Sequence, residues 1–124
     1  MLTPPHDTLL SLRLRFHERA RLGPGKIALL EAVRLTRSIS AAATSMDMSA
    51  RRAWLLIDSL NNAFTEPLVA LTEPATPGES EASLTEFGES VIDAYRTVEA
   101  DAAQSVQQRF AGIIRQLKAP PETS

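Results

Sequence analysis

A chain of 124 residues, 44% hydrophobic and 23% charged, is sized for one small domain, one that buries roughly two-thirds of its unfolded surface. The absence of cysteine excludes a disulfide framework and any cysteine-based zinc site. The formal net charge of −2 excludes a uniformly basic surface, yet residues 1–60 hold nine Lys/Arg against five Asp/Glu (+4) and residues 61–124 hold four against ten (−6). Such a division suits a protein that turns one basic face to phosphates and an acidic remainder to solvent. Chance clustering on an ordinary solvated surface is the alternative.

Residues 1–8 read as a flexible tail. They lack the basic and apolar regions of a signal peptide, and no apolar run approaches a membrane span, so a cytoplasmic chain with no membrane partner is expected. Residues 9–16 alternate, with Leu10, Leu12, Leu14 and Phe16 on one face and Ser11, Arg13 and Arg15 on the other, which predicts a half-buried strand. Residues 19–25 read as a loop, and Pro24 marks a helix start. The helix that follows, over about residues 25–36, carries Ile27, Leu30 and Val33 or Arg34 along one side.

Residues 38–60 are the most informative stretch. Ser40 is a good N-cap for an alanine-rich helix with Ala42, Ala43 and Met46 on one face. Met46-Asp47-Met48 forms the turn, with Asp47 at the strained turn position that Asn, Asp or Gly tolerates. Ser49 caps a second helix whose apolar stripe runs Ala53, Ile57 with Leu56, Leu60 and Phe64. The pattern is that of a helix-turn-helix, in which the first turns of the second helix enter the DNA major groove. Glu66-Pro67 then stops helical propagation. Residues 68–71 and 81–84 pair across a turn-rich loop as a small β wing.

From Thr85 a long helix begins, with Glu86 and Glu89 in its first turn. Its stripe, Phe87, Val91, Tyr95, Val98, Ala102, Val106, Phe110, Ile113 and Leu117, steps by three or four throughout. A helix of about 33 residues would be roughly 50 Å long and would outreach so small a domain. Residues 85–118 are therefore expected to dimerise, through Val91, Tyr95, Val98, Ala102, Val106, Phe110, Ile113 and Leu117, and residues 119–124 to form a disordered tail. The fold class is mainly α with a small β wing: a winged helix-turn-helix over residues 9–84 and a long C-terminal dimerisation helix.

Several motifs occur together in order: Gly23-Pro24-Gly25-Lys26-Ile27-Ala28-Leu29-Leu30-Glu31-Ala32, Ser38-Ile39-Ser40-Ala41-Ala42-Ala43, Met48-Ser49, Arg52-Ala53-Trp54-Leu55-Leu56-Ile57-Asp58, Leu60-Asn61, Pro67-Leu68-Val69, and Leu84-Thr85 with Phe87-Gly88. Over residues 9–100 or so the chain resembles the N-terminal DNA-binding domain of ModE-type molybdate-responsive regulators, and more loosely LysR-type regulators. The resemblance implies a winged helix-turn-helix that dimerises and binds a palindromic operator. Two departures accompany it. The chain ends before the family's molybdate-binding domains would begin, so molybdate sensing by that route is not expected. The wing has Glu73, Glu79 and Glu81 where the family usually has a glycine-rich loop, often with a lysine, and Ala50 stands where tyrosine is common.

The DNA-binding residues are expected to be Lys26, Ser40, Ser49, Ala50, Arg51, Arg52 and Leu55. Arginines in a first helical turn can fork onto guanine or a phosphate. They oppose the macrodipole there, so an external anion accounts for them better than local stability does, a solvated charged turn being the alternative. Lys26 is either a phosphate clamp or a plain surface lysine, and Leu55 contacts a thymine methyl, a partner subunit or nothing. Arg34 and Arg37 would extend the positive face if directed that way. Trp54, beside the stripe, is expected to pack against the wing or an adjacent helix.

His6 and His17 have no second ligand at metal spacing, and no nucleophile motif or complete phosphate loop occurs. No metal, cofactor or enzymatic activity is expected, and no effector can be named. The first reading of function is a homodimeric transcription regulator that binds double-stranded DNA. The second is an interaction protein, pairing with itself or a full-length regulator, which Ala50 and the acidic wing favour.

Overall fold

The computed structural model describes residues 10–72 and 81–121, and the helices dominate it. The chain opens with a short antiparallel hairpin, β1 (Leu14–His17) and β2 (Ala20–Leu22). Leu14 lies opposite Leu22, Arg15 opposite Arg21 and His17 opposite Ala20, with a bulge between Arg15 and His17. The predicted strand is thus shorter than expected, and β2 occupies part of the expected loop. Phe16, expected to face inward, is 61% exposed, because the extra residue of the bulge breaks the two-residue alternation there. Leu12 and Leu14 keep their inward places against the core, joined by buried Ala20 and Leu22.

Helix α1 (Pro24–Thr36) begins with Pro24, whose fixed φ suits the first turn, and buries Ile27, Leu29, Leu30 and Val33. It ends at Arg37, a left-handed residue with φ 59° whose N–H bonds the Val33 carbonyl at 2.8 Å. Helix α2 (Ile39–Ser45) is capped by Ser38, whose hydroxyl accepts from the Ala41 N–H. Ser40, expected as the cap, instead lies exposed inside the helix, because starting at Ser38 brings Ile39 onto the buried face with Ala42 and Ala43. Asp47 makes the turn with φ 57°, as its position predicted, and Ser49 caps α3 (Ala50–Ala63) by accepting from the Arg52 N–H. Ala53, Ile57 and Leu60 bury against the earlier helices, and the small side chains of Ala42, Ala43 and Ala53 lie in the same core.

The exit from α3 is set by one side chain. The Asn61 oxygen accepts from the Leu68 and Val69 N–H groups, and its amide donates to the Val69 carbonyl at 2.9 Å. Strand β3 (Val69–Thr72) then pairs antiparallel with β4 (Glu81–Leu84), Val69 opposite Leu84 and Thr72 opposite Glu81. Between them the loop that would carry Glu73 and Glu79 lies outside the described residues, as do the expected tail over 1–8 and, of the expected tail over 119–124, residues 122–124. The Ala82 N–H bonds the Arg37 carbonyl at 3.0 Å, tying β4 to the end of α1.

Helix α4 (Glu86–Ile114) has 29 residues, so it is about 44 Å long at 1.5 Å per residue. Thr85 caps it by accepting from the Gly88 N–H while donating to the Pro67 carbonyl at 2.7 Å. Gly88, Ile92 and Tyr95 form its buried face, sharing Tyr95 with the predicted stripe but taking Gly88 and Ile92 in place of their neighbours Phe87 and Val91, which are half-buried beside them. Tyr95 and Val91, expected at a dimer interface, therefore belong to the core of their own chain. The Tyr95 hydroxyl donates to the Leu12 carbonyl at 2.6 Å, and burial raises the phenol above its usual range. Arg96 adds a two-pronged bond to Glu31 of α1, at 3.0 and 2.6 Å, which holds the Glu31 carboxyl below the usual range.

Removing only the hydroxyl, in Tyr95→Phe, leaves the Leu12 carbonyl without its partner. A loss of about 1–2 kcal/mol in unfolding free energy is expected, read as a lower denaturation midpoint in urea. An unchanged midpoint would mean that water replaces the bond at no cost.

Candidate nucleic-acid interface

Ser49 sets where α3 starts, and the burial of Ala53, Ile57 and Leu60 sets which way it faces. Ala50, Arg51 and Arg52 in the first turn are left exposed. Leu55 is 49% exposed on the same outer side. Arg51, Arg52, Leu55 and Ser49 border a shallow hollow of about 270 Å3. Trp54 is 47% exposed rather than packed against the β3–β4 hairpin or another helix, as was expected. It lies about 100° round the helix from Ala53, away from the face that the rest of the core covers.

Lys26, in the first turn of α1, is half-buried and donates to the Arg21 carbonyl at 3.2 Å. It borders a groove of about 590 Å3 with Arg52, Arg13, Arg15 and Arg21. Lys26 and Arg52 are thereby brought together, whereas Ser40 lies on α2 and lines neither this groove nor the hollow. The hairpin arginines were missed as site residues, although the repeated spacing Arg13/Arg15 and Arg19/Arg21 was visible. Arg34 and Arg37 do not extend the positive face as free charges: Arg34 pairs with Glu89 at 2.7 Å and Arg37 with Glu81 at 2.8 Å. Glu81 is thus matched by a cation at the loop end of the β3–β4 pair.

Among the described residues the ion pairs involve only Arg34, Arg37 and Arg96, so Arg13, Arg15, Arg19, Arg21, Lys26, Arg51 and Arg52 form none. Such a set, gathered on one side of the domain, can neutralise several phosphates at once. The His17 ring accepts the Arg19 N–H through Nδ1 at 3.1 Å, and among the described residues no three His, Cys, Asp or Glu side chains are grouped to hold a metal ion. No helix among them is long and apolar enough to cross a membrane.

No protein-family profile matches the chain. It is 39% identical over 85 residues to the molybdenum-pterin-binding protein MopB of Rhodobacter capsulatus, covering 68% of this chain and 31% of that protein. It is 36% identical over 78 residues to the molybdenum transport protein ModE of Azotobacter vinelandii, covering 63% and 28%. It is 35% identical over 105 residues to the transcriptional regulator ModE of Yersinia pestis, covering 83% and 36%. The chain spans about a third of the length of the curated relatives it matches. These relatives support a ModE-like relationship, and one of them is itself named a transcriptional regulator.

Proposed function

We propose that this chain is a transcription regulator that reads double-stranded DNA as a homodimer, with α2 and α3 as a helix-turn-helix and β3–β4 as its wing. The observation that carries this reading is the first two turns of α3, where Arg51, Arg52 and Leu55 stand exposed on a helix whose opposite face is locked into the core. Arg51 and Leu55 are suited to base edges, Arg52 and Lys26 to flanking phosphates. Ala50 offers no polar group, so readout falls on its neighbours. The regulatory name of the Yersinia pestis relative agrees with this reading.

Dimerisation is assigned to the far part of α4. Val98 (45%), Phe110 (46%) and Ile113 (57%) are exposed there, with Ala102 and Val106 between them and Leu117 (66%) just past the helix end, which comes at Ile114 and short of the expected 118; burying them against a second copy would remove this apolar ridge from water. Paired α4 helices would hold two α3 helices on half-sites about one turn, ~34 Å, apart. Phe110→Asp combined with Ile113→Asp is expected to convert dimer to monomer in sedimentation equilibrium while the helical circular-dichroism signal of the folded chain is kept, since both side chains lie outside the core; the melting temperature should fall only by what the lost association contributed. A dimer that persists would move the interface elsewhere.

The test of function is selection of bound duplexes from a random pool, followed by fluorescence-anisotropy titration of the enriched duplex and a scrambled one at ~50 and ~200 mM salt. An enriched palindrome, bound tightly and in a salt-sensitive way, is the expected result. No enrichment, with a dimer intact, would favour the second reading, an interaction protein that works through the exposed ridge of α4.

A further inference from the structure

We propose that the groove between the β1–β2 hairpin and the first turns of α1 and α3 clamps the sugar–phosphate backbone of duplex DNA, as a contact separate from base reading by α3. The inference rests on the DNA-binding reading above and adds to it an element, the N-terminal hairpin, that the expected site did not contain. Five cations border the groove, Arg13, Arg15, Arg21, Lys26 and Arg52, and among the described residues no carboxylate does. None of the five is paired with an acid among the described residues.

The hairpin register sharpens the point. Arg15 and Arg21 are directly opposite each other, a like-charge cross-strand pair that works against the hairpin in the free protein. A polyanion lying along the groove removes that repulsion. The Lys26 amine, held on the Arg21 carbonyl at 3.2 Å, sits at the seam with a second cleft of about 560 Å3. Arg19, Arg21 and Lys26 border that cleft, with Ser59 and Asn62 of α3 on its other wall. The positive charge therefore follows the length of α3 and is not gathered at one point, which suits a strand of phosphates better than a single small anion. Gly23 and Gly25 leave the floor without side chains, and a Cβ at Gly25 would meet nothing within 4 Å. Glu18 borders the second cleft and not the groove.

The experiment compares the full chain with Arg13→Ala/Arg15→Ala/Arg21→Ala and with the matching triple lysine variant. Each is titrated onto a mixed-sequence 24-base-pair duplex between ~50 and ~200 mM salt, with melting temperatures recorded alongside. The clamp predicts that the alanine variant loses affinity at every sequence and that its slope of log affinity against log salt falls by about 2 to 3. The lysine variant should keep most of that slope, because it keeps the charge. If the parent binds duplex and the alanine variant matches it, the clamp is overturned while the DNA reading stands. If the parent binds neither mixed nor selected duplex, both fail. A lysine variant as weak as the alanine variant overturns the electrostatic role. Should the triple alanine chain not fold, Arg13→Glu alone must lower affinity and slope, since Arg13 lies outside both strands of the hairpin.

Discussion

Replacing Arg51 and Arg52 together by alanine is expected to lower affinity for the selected palindrome by about 100-fold or more, given roughly 1–3 kcal/mol for each arginine that forks onto a base or phosphate. Both side chains are exposed and neither takes part in an ion pair among the described residues, so the melting temperature and the dimer should be unaffected. The two single variants should then differ. Arg51 borders only the hollow beside Leu55, whereas Arg52 borders both that hollow and the cationic groove. Arg51→Ala is therefore expected to relax sequence preference at one position of each half-site. Arg52→Ala should weaken all duplexes alike and lower the salt slope by about one. Anisotropy titrations with the palindrome and its single-position variants separate these outcomes. A double variant that binds like the parent would remove α3 from the interface.

What could be read from the sequence follows from the range of the interactions involved. Helix α3 was legible in its cap, its stripe and its preceding turn, because Ser49, Asp47 and the spacing Ala53, Ile57, Leu60 act within one or two helical turns. The β1–β2 hairpin was only half legible. Its second strand has three residues with an arginine in the middle, and the bulge that frees Phe16 depends on pairing, not on alternation. Asn61 gave no sign of its role, since its three bonds to Leu68 and Val69 exist only once the chain has turned the corner. The candidate site divided along the same line. Arg51, Arg52 and Leu55 belong to one helix turn and were identified, whereas Arg13, Arg15 and Arg21 join Lys26 and Arg52 only through tertiary structure.

The same reasoning explains how the divided charge is used. Of the nine basic residues in the first 60, Arg34 and Arg37 are taken up by Glu89 and Glu81 from the acidic half. These pairs are about half exposed and contribute little to stability. Their effect is to fix where α4 and β4 meet the end of α1. The seven cations left over lie on the hairpin, α1 and α3, so the +4 half presents its charge on the side proposed to meet DNA.

Gly88→Ala is expected to be strongly destabilising although it adds only one methyl group. The predicted stripe missed this position because glycine brings no apolar side chain, yet Gly88 is where α4 lies directly on the start of β3. A Cβ built there would be 2.3 Å from the Leu68 carbonyl oxygen and 3.1 Å from its carbon. Neither atom can rotate away. That carbonyl accepts the Thr85 N–H at 2.9 Å, and the Leu68 N–H is held by Asn61 at 2.8 Å. Making room means moving α4 off β3 and weakening the Thr85 and Asn61 bonds together. Overpacking costs about 1–3 kcal/mol or more, and each weakened hydrogen bond adds about 1. Alanine's better helix propensity returns only about 1 kcal/mol. A net loss of about 2–4 kcal/mol should lower the melting temperature by roughly 10 °C. Gly112→Ala in the same helix is the control, because a Cβ there meets nothing within 4 Å. It should leave stability unchanged or raise it slightly through propensity alone. Equal melting temperatures for the two variants would mean that α4 does not press on β3. If Gly88→Ala still folds, the displaced α4 should redirect the ridge from Val98 to Leu117, and the palindrome it selects should have altered half-site spacing.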